Sequence, residues 1–164
     1  MEPIRIGVIS DTHLYRQDDI FRARAAECFS DVSMVLHAGD LVELSILNVF
    51  AGKEVHAVRG NMCHASVTNV LPQKKIINVG RFTIGLIHGD GYLYDIEAHL
   101  LNEFESVDCI VYGHTHKPVN HWIGPVLFVN PGTFRGTGKY GAQGTYAIIE
   151  AGNELHAVIH RVAA

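Results

Sequence analysis

Side chains of the kinds that bind metal ions stand at the ends of short apolar runs along this chain, and this arrangement restricts the fold more than any other feature. Seven residues share it, each after a strand-like run rich in valine, isoleucine or leucine: Asp11, His13, Asp40, Asn61, His88, His114 and His116. In an open α/β sheet, ligands bind in the crevice beyond the carboxyl ends of the strands. Five strand ends would bring these side chains together, which predicts a site for two metal ions.

The composition predicts one soluble globular domain that spans residues 1–164. A chain of 164 residues can bury roughly two-thirds of its surface, and 48% hydrophobic with 18% charged residues is ordinary for a globular protein. No apolar run approaches the roughly 18 residues that a membrane span needs. The N-terminal segment enters a strand at once and lacks the regions of a signal peptide. We therefore expect a cytoplasmic protein with no membrane partner.

The charge pattern argues against strong binding of nucleic acid. The formal net charge is -4 and the chain has no basic run, whereas binding to a phosphate backbone depends on clustered lysine and arginine. We expect a small-molecule substrate instead. The sequence leaves the formation of a homo-oligomer open.

Hydrophobic periodicity predicts an α/β fold. The first half alternates strands at 4–9, 34–37 and 55–58 with helices at 19–29 and 41–50, and the crossovers should be right-handed. The second half contains one further helix, at 96–104, and closely spaced strands at 75–79, 82–87, 110–112, 119–123, 126–129, 146–150 and 155–161. This order predicts two packed mixed β-sheets flanked by helices.

Five motifs resemble, in order and spacing, those of the calcineurin-like metallophosphoesterases: Asp11-Thr-His13, Gly39-Asp40, Gly60-Asn61, His88-Gly and Gly113-His114-Thr-His116. The chain is similar to the small, single-domain bacterial and archaeal phosphodiesterases of that family over nearly its whole length. The resemblance implies a four-layer α/β/β/α sandwich. It also implies a phosphodiesterase that hydrolyses a small phosphodiester by attack of a hydroxide bridging two metal ions.

The resemblance further implies a role for each of the seven residues. Two sets of side chains would each hold one metal ion: Asp11, His13 and His116 for the first, and Asn61, His88 and His114 for the second. Asp40 would bridge both ions, which suits a carboxylate because its two oxygens can span ions roughly 3.5 to 4 Å apart. Mixed imidazole, carboxylate and amide ligands favour manganese, with iron, zinc, nickel or cobalt as alternatives, over magnesium.

The chain departs from the family pattern directly after Asn61, which is itself one of the expected catalytic residues. The family usually has a histidine or cysteine and then an aspartate there, but this chain has Met62 and Cys63. A thioether cannot donate a proton. Either the site works without a proton donor at this position, or His64 supplies the proton as a general acid.

Two further residues leave alternatives open. Asp90 occupies a position where the small phosphodiesterases usually have a second histidine, and its carboxylate could repel the substrate phosphate, orient a histidine ligand or cap the following helix. His37, close before Asp40, either supports the metal ligands by hydrogen bonding or simply packs in the core.

A second class of function is a non-catalytic protein-binding scaffold of the same fold, like the retromer subunit of this family that has lost metal ligands. The feature that separates the two classes is ligand loss, and all seven residues are intact here. A nuclease of the same family would need additional DNA-binding regions and a basic surface, which this chain lacks.

Overall fold

The computed structural model describes residues 1–136 and 143–163. The elements follow one another as β1 (Ile4–Ile9), α1 (Asp19–Cys28), β2 (Met34–His37), a 3₁₀ helix (Leu44–Phe50), β3 (Glu54–Ala57), α2 (Ala65–Thr68), β4 (Lys74–Val79), β5 (Phe82–Ile87), α3 (Ile96–Glu103), β6 (Cys109–Val111), β7 (Val119–Ile123), β8 (Val126–Asn130), β9 (Thr145–Ala151) and β10 (Leu155–Arg161). No helix in this described part has the length and apolarity needed to cross a membrane.

The strands form two mixed sheets of five strands each. The first sheet has the order β10-β9-β1-β2-β3, in which β1 and β2 run parallel with Ile6 opposite Met34. The second sheet has the order β4-β5-β6-β8-β7, in which β5, β6 and β8 are parallel and the outer strands β4 and β7 pair antiparallel. Parallel strands in the middle of each sheet therefore direct several carboxyl ends toward one edge.

The two sheets pack face to face, and helices cover their outer faces. Alternate residues of both sheets fill the layer between them, including Ile6, Leu36, Leu86, Val111 and Val129. Helix α1 and the 3₁₀ helix cover the first sheet through the aromatic side chains Phe21, Phe29 and Phe50, and α3 covers the second through Leu100 and Phe104. The predicted fold of two packed mixed sheets flanked by helices is thus confirmed.

The helix predicted at 41–50 begins three residues later than predicted, and it is a 3₁₀ helix rather than an α-helix. A 3₁₀ helix begins only at Leu44, because Asp40 and Val42 have left-handed backbone angles, with φ of 58° and 65°. An α-helix requires right-handed angles in its first turn. The short helix α2, after His64, was not predicted, since four residues are too few for a helical hydrophobic pattern.

Candidate metal centre

Loops that follow parallel strands of both sheets meet at one edge of the molecule. Asp11 follows β1, Asp40 follows β2, Asn61 follows β3, His88 follows β5 and His114 follows β6. Backbone hydrogen bonds tie these loops together: Asp11 N donates to Gly39 O at 3.0 Å, His13 N to Asp40 O at 3.0 Å, and Gly113 N to His88 O at 3.0 Å. The edge therefore carries all seven of the residues that the sequence singled out.

Five of these seven residues have a left-handed backbone that favours glycine. The φ angles are 53°, 47°, 58°, 65° and 59° for Asp11, His13, Asp40, His114 and His116. Such conformations cost roughly 1–3 kcal/mol each and persist only where the surrounding structure fixes them. Their concentration here indicates that the side chains are held in place for a function.

Asp11 presents one free carboxylate oxygen to the interior of the site. Its Oδ2 accepts hydrogen bonds from Ser10 Oγ at 2.6 Å and from the backbone N–H of His114 at 3.1 Å. Its Oδ1 is buried and has no hydrogen-bond donor among the described residues. Buried polar atoms normally have a partner, so this oxygen fits a cation that the neighbouring side chains would share.

The first cluster of potential ligand atoms consists of Asp11, His13 and His116, whose ligand atoms all lie within 4.8 Å of one another. Nε2 of His116 lies 3.2 Å from Asp11 Oδ1, and Nε2 of His13 lies 3.7 Å from the same oxygen. The two Nε2 atoms are 3.3 Å apart. Two imidazole nitrogens and a carboxylate oxygen that converge in this way form a donor set suited to a transition-metal ion.

The second cluster consists of Asp11, Asp40 and His88. His88 donates from Nδ1 to the carbonyl oxygen of Ala38 at 2.7 Å, which directs its Nε2 toward Asp40 Oδ2 at 3.2 Å and Asn61 Oδ1 at 3.1 Å. Asp40 Oδ2 is also 3.9 Å from Nε2 of His13, so Asp40, a member of the second cluster, approaches the first as well. Asp11 contributes to both clusters. The sequence analysis had assigned Asp11 to the first ion alone.

His114 lies at the margin of these clusters. Its ring contacts that of His88 edge to face, with the centroids 5.2 Å apart, and its backbone N–H holds Asp11. Its side chain belongs to neither of the two tight groups of ligand atoms found among the described residues.

The electrostatics of the site favour positive charge between the two carboxylates. Burial opposes the charge of Asp40, but hydrogen bonds from His88 and from the Met62 amide outweigh it and hold the pKa of Asp40 below its ordinary value. Burial likewise opposes the charge of His88, yet its hydrogen bond to Asp40 and the nearby charge of Asp11 raise the pKa of His88 above the ordinary value. Asp40 thus remains ionised and attracts a cation.

His37 supports the site through the loop after β1. Its Nδ1 accepts a hydrogen bond from the backbone N–H of Gly39 at 3.2 Å, so its Nε2 carries the proton that Thr12 Oγ1 accepts at 3.2 Å. Burial lowers the pKa of His37 to about 3, which keeps the ring neutral. Of the two alternatives for His37, the structure favours support by hydrogen bonding, because the bonded Thr12 lies between Asp11 and His13.

Asn130 and Thr133 hold the loops of the site by hydrogen bonds, and the sequence reasoning missed both residues. The fully buried Asn130 donates from Nδ2 to Gly113 O at 2.9 Å and to Thr115 Oγ1 at 3.1 Å, which fixes the loop of His114 and His116. Thr133 Oγ1 donates to the backbone oxygen of Asp11 at 3.0 Å. The signal was present, since Asn130 ends the apolar strand β8 and Thr133 follows it.

His64 and Asp90 lie outside the tight clusters. His64 precedes helix α2, and its Nδ1 donates to Glu43 Oε1 at 2.5 Å. Helix α3 begins after Asp95, which excludes Asp90 as its cap. Asp90 is half-buried, and among the described residues its carboxylate accepts no hydrogen bond from a histidine.

Comparison with known proteins gives one consistent family. Residues 4–154 match the model of the calcineurin-like phosphoesterase superfamily domain. A probable metallophosphoesterase of Methanocaldococcus jannaschii is 36% identical over 133 residues, which cover 78% of this chain and 67% of that protein. A phosphodiesterase of the same organism is 26% identical over 145 residues, which cover 79% of this chain and 83% of the relative.

Solved structures share the fold along almost the entire chain. A predicted phosphoesterase from Streptococcus pneumoniae has a TM-score of 0.75 at 24% identity, covering 99% of this chain and 94% of that one. Vps29 from Entamoeba histolytica, in complex with Zn²⁺, has a TM-score of 0.73 at 25% identity, covering 96% of this chain and 98% of its own.

Proposed function

The chain belongs to the calcineurin-like phosphoesterase superfamily, and on this premise we propose that it is a phosphodiesterase that hydrolyses a small phosphodiester with two divalent metal ions. The observation that carries the proposal is the buried Oδ1 of Asp11, which has no hydrogen-bond donor among the described residues and toward which the Nε2 atoms of His13 and His116 converge. A phosphodiesterase among the relatives supports the choice of diesters.

The residues that would hold the ions are the seven named from the sequence: Asp11, His13 and His116 on one side, Asn61, His88 and His114 on the other, and Asp40 between them. Bound there, divalent ions supply Lewis acidity that activates water and offsets phosphate charge. The imidazole and amide donors favour manganese, iron, zinc, nickel or cobalt over magnesium, with manganese as the first choice.

The chain's own residues prepare this site and leave one side open. Asp11 and Asp40 are buried and already oriented by hydrogen bonds from Ser10 and Met62. In contrast, the side chains of His13 and His116 are about one-third exposed, at 32% and 33%. A phosphate group can therefore approach from the side of these two histidines, while the buried carboxylates would meet it through the ions that they would hold.

The test is metal reconstitution followed by a substrate panel. Protein loaded separately with manganese, zinc and magnesium is offered phosphomonoesters, cyclic nucleotides and p-nitrophenyl phosphodiesters. We expect diester hydrolysis that depends on a transition metal and is lost in Asp40→Asn. Hydrolysis of monoesters alone would contradict the choice of diesters, and saturation with metal without any hydrolysis would favour the non-catalytic scaffold.

A further inference from the structure

An apolar cleft of about 430 Å³ lies between helix α3 and strand β7. Its walls carry the aliphatic side chains of Ile96, Ala98, Val119 and Ile123, and none of these residues is a proposed metal ligand. The volume falls within the roughly 300 to 1,000 Å³ that is usual for ligand pockets. The cleft can therefore receive a small organic group.

One wall of the cleft is the loop that carries two of the proposed ligands. Thr115 lines the cleft and lies between His114 and His116 in the chain, so its Cα is about 3.8 Å from the Cα atom of each. Its Oγ1 accepts hydrogen bonds from Asn130 Nδ2 at 3.1 Å and from the backbone N–H of Lys117 at 3.2 Å. This wall is therefore fixed one residue away from the metal centre.

A second wall touches the loop of another proposed ligand, His88. A Cβ atom built at Gly89, directly after His88, would lie 3.3 Å from Ile96 Cδ1 and 3.6 Å from Tyr112 Cδ2, and both of these side chains line the cleft. The rings of His88 and His114 are in contact, with their centroids 5.2 Å apart. The cleft thus adjoins the side of the metal centre that these two histidines form.

A largely buried carboxylate holds the walls of the cleft together. Glu97 Oε1 accepts a hydrogen bond from the Tyr112 hydroxyl at 2.6 Å, and its Oε2 accepts one from Nε2 of His121 at 2.8 Å. Glu97 belongs to α3, Tyr112 follows β6 and His121 lies in β7, so one side chain connects three elements. A cleft that is held open in this way needs little reorganisation to bind a ligand.

We propose that this cleft binds an uncharged aliphatic ester group of the phosphodiester while the phosphate lies at the metal centre; this inference rests on the proposed function. The shared loops allow a substituent of the phosphate to extend into the cleft, where burial of its methylene groups is favourable. The lining also includes two carboxylates, Asp95 and Glu97, against one ammonium group, Lys117. A substituent with a negative charge of its own would therefore be disfavoured.

The test uses three p-nitrophenyl phosphodiesters in which the second ester group is methyl, butyl or 3-carboxypropyl. The leaving group is the same in all three, so kcat/KM of the metal-loaded protein compares the contacts of the second group. We expect the butyl ester to be hydrolysed about 10-fold more efficiently than the methyl ester, at the lower end for an apolar pocket, because Ala98 and Ile123 are exposed. The 3-carboxypropyl ester should have no advantage over the methyl ester.

Two substitutions change the cleft in opposite senses. Ile96→Ala removes part of a wall, and Ala98→Leu fills space from an exposed position of α3. Each should lower the butyl-to-methyl ratio of kcat/KM at least about 3-fold. Ala26→Leu is the matched control, because it makes the same replacement at an exposed position of α1 that does not line the cleft, and its ratio should equal that of the wild type. Ala98→Leu decides the matter if Ile96→Ala does not fold.

An observation that needs no turnover completes the test. In protein loaded with zinc, which is diamagnetic, the methyl resonances of Ile96, Val119 and Ile123 should shift on addition of butylphosphonate and stay in place with methylphosphonate.

A butyl-to-methyl ratio near 1 in the wild type, an unchanged ratio in Ala98→Leu, or methyl resonances that do not respond to butylphosphonate would overturn the inference and leave the phosphodiesterase in place. A 3-carboxypropyl ester hydrolysed as well as the butyl ester would overturn the choice of an uncharged group. Failure of the metal-loaded wild type to hydrolyse any of the three esters would overturn the proposed function itself.

Discussion

Replacing Gly60 by alanine should damage the metal centre without replacing any proposed ligand. A Cβ atom at this position would lie 2.2 Å from Asp40 Oδ1 and 2.6 Å from the Asp40 backbone nitrogen. Atoms do not approach so closely, and the backbone nitrogen cannot rotate away as a flexible side chain would. Asp40 must therefore retreat by roughly 1 Å, and its hydrogen bond from the Met62 amide, now 2.7 Å, must lengthen or break. A displacement of about 1 Å at a reacting centre costs on the order of 10²-fold in rate.

The assay measures three quantities on Gly60→Ala. We expect kcat/KM for a p-nitrophenyl phosphodiester to fall about 10²-fold, or about 2.7 kcal/mol, and metal affinity in titration calorimetry to weaken about 10 to 100-fold, as when a supporting contact of a ligand is lost. Overpacking should also lower the free energy of unfolding by about 1 to 3 kcal/mol.

Gly52→Ala is the matched control, because it too places a methyl group in a loop but meets no atom within 4 Å. Its φ of 88° predicts a loss of about 1 kcal/mol in unfolding free energy from backbone strain alone, with metal affinity unchanged. If Gly60→Ala retained full metal affinity and turnover, neither property would depend on the present position of Asp40, and the prediction would be refuted.

Three other predictions follow from the same geometry. Elemental analysis after reconstitution should approach two metal ions per chain, because the donor set fills two clusters; one ion or none at saturation would contradict the dinuclear site. Asp40→Asn should nearly abolish hydrolysis while circular dichroism stays unchanged, since the amide keeps the size and loses the charge; near-normal turnover with full metal content would remove Asp40 from its bridging role. Asn130→Ala should lower the free energy of unfolding in urea by about 2 to 4 kcal/mol, because the buried groups of Gly113 and Gly132 lose their partner; a change below about 0.5 kcal/mol would show that water replaces the amide.

The sequence revealed the fold because its strands are unusually clear. Apart from Arg5 and His37, β1 and β2 consist of apolar residues and glycine, as expected for strands that are largely buried on both faces, and the loops after the two strands place Asp11 and Asp40 at the same edge. The residues that were predicted as metal ligands do lie together there. Their role in holding metal stays a prediction.

The sequence could not reveal conformations that the tertiary structure imposes. Asp40 and Val42 have left-handed angles, a conformation that local preference argues against for valine, and the predicted helix was therefore placed too early. The contact between Glu43 and His64 joins residues 21 positions apart on different loops, with no periodic pattern to indicate it. Asn130 was missed for a different reason, because it ends a strand, β8, after which no proposed ligand follows.

The metal centre takes its side chains from both sheets, and this has a consequence for the order of folding. His13 and His116 lie 103 positions apart in the chain, yet their Nε2 atoms are 3.3 Å apart. Bringing such distant segments together requires the closure of a long loop, which is entropically costly and happens late. An ion that needs both sheets cannot assist the early steps, so bound metal should leave the folding rate nearly unchanged and instead slow unfolding. The availability of metal would therefore change the lifetime of the native state rather than the rate at which it forms.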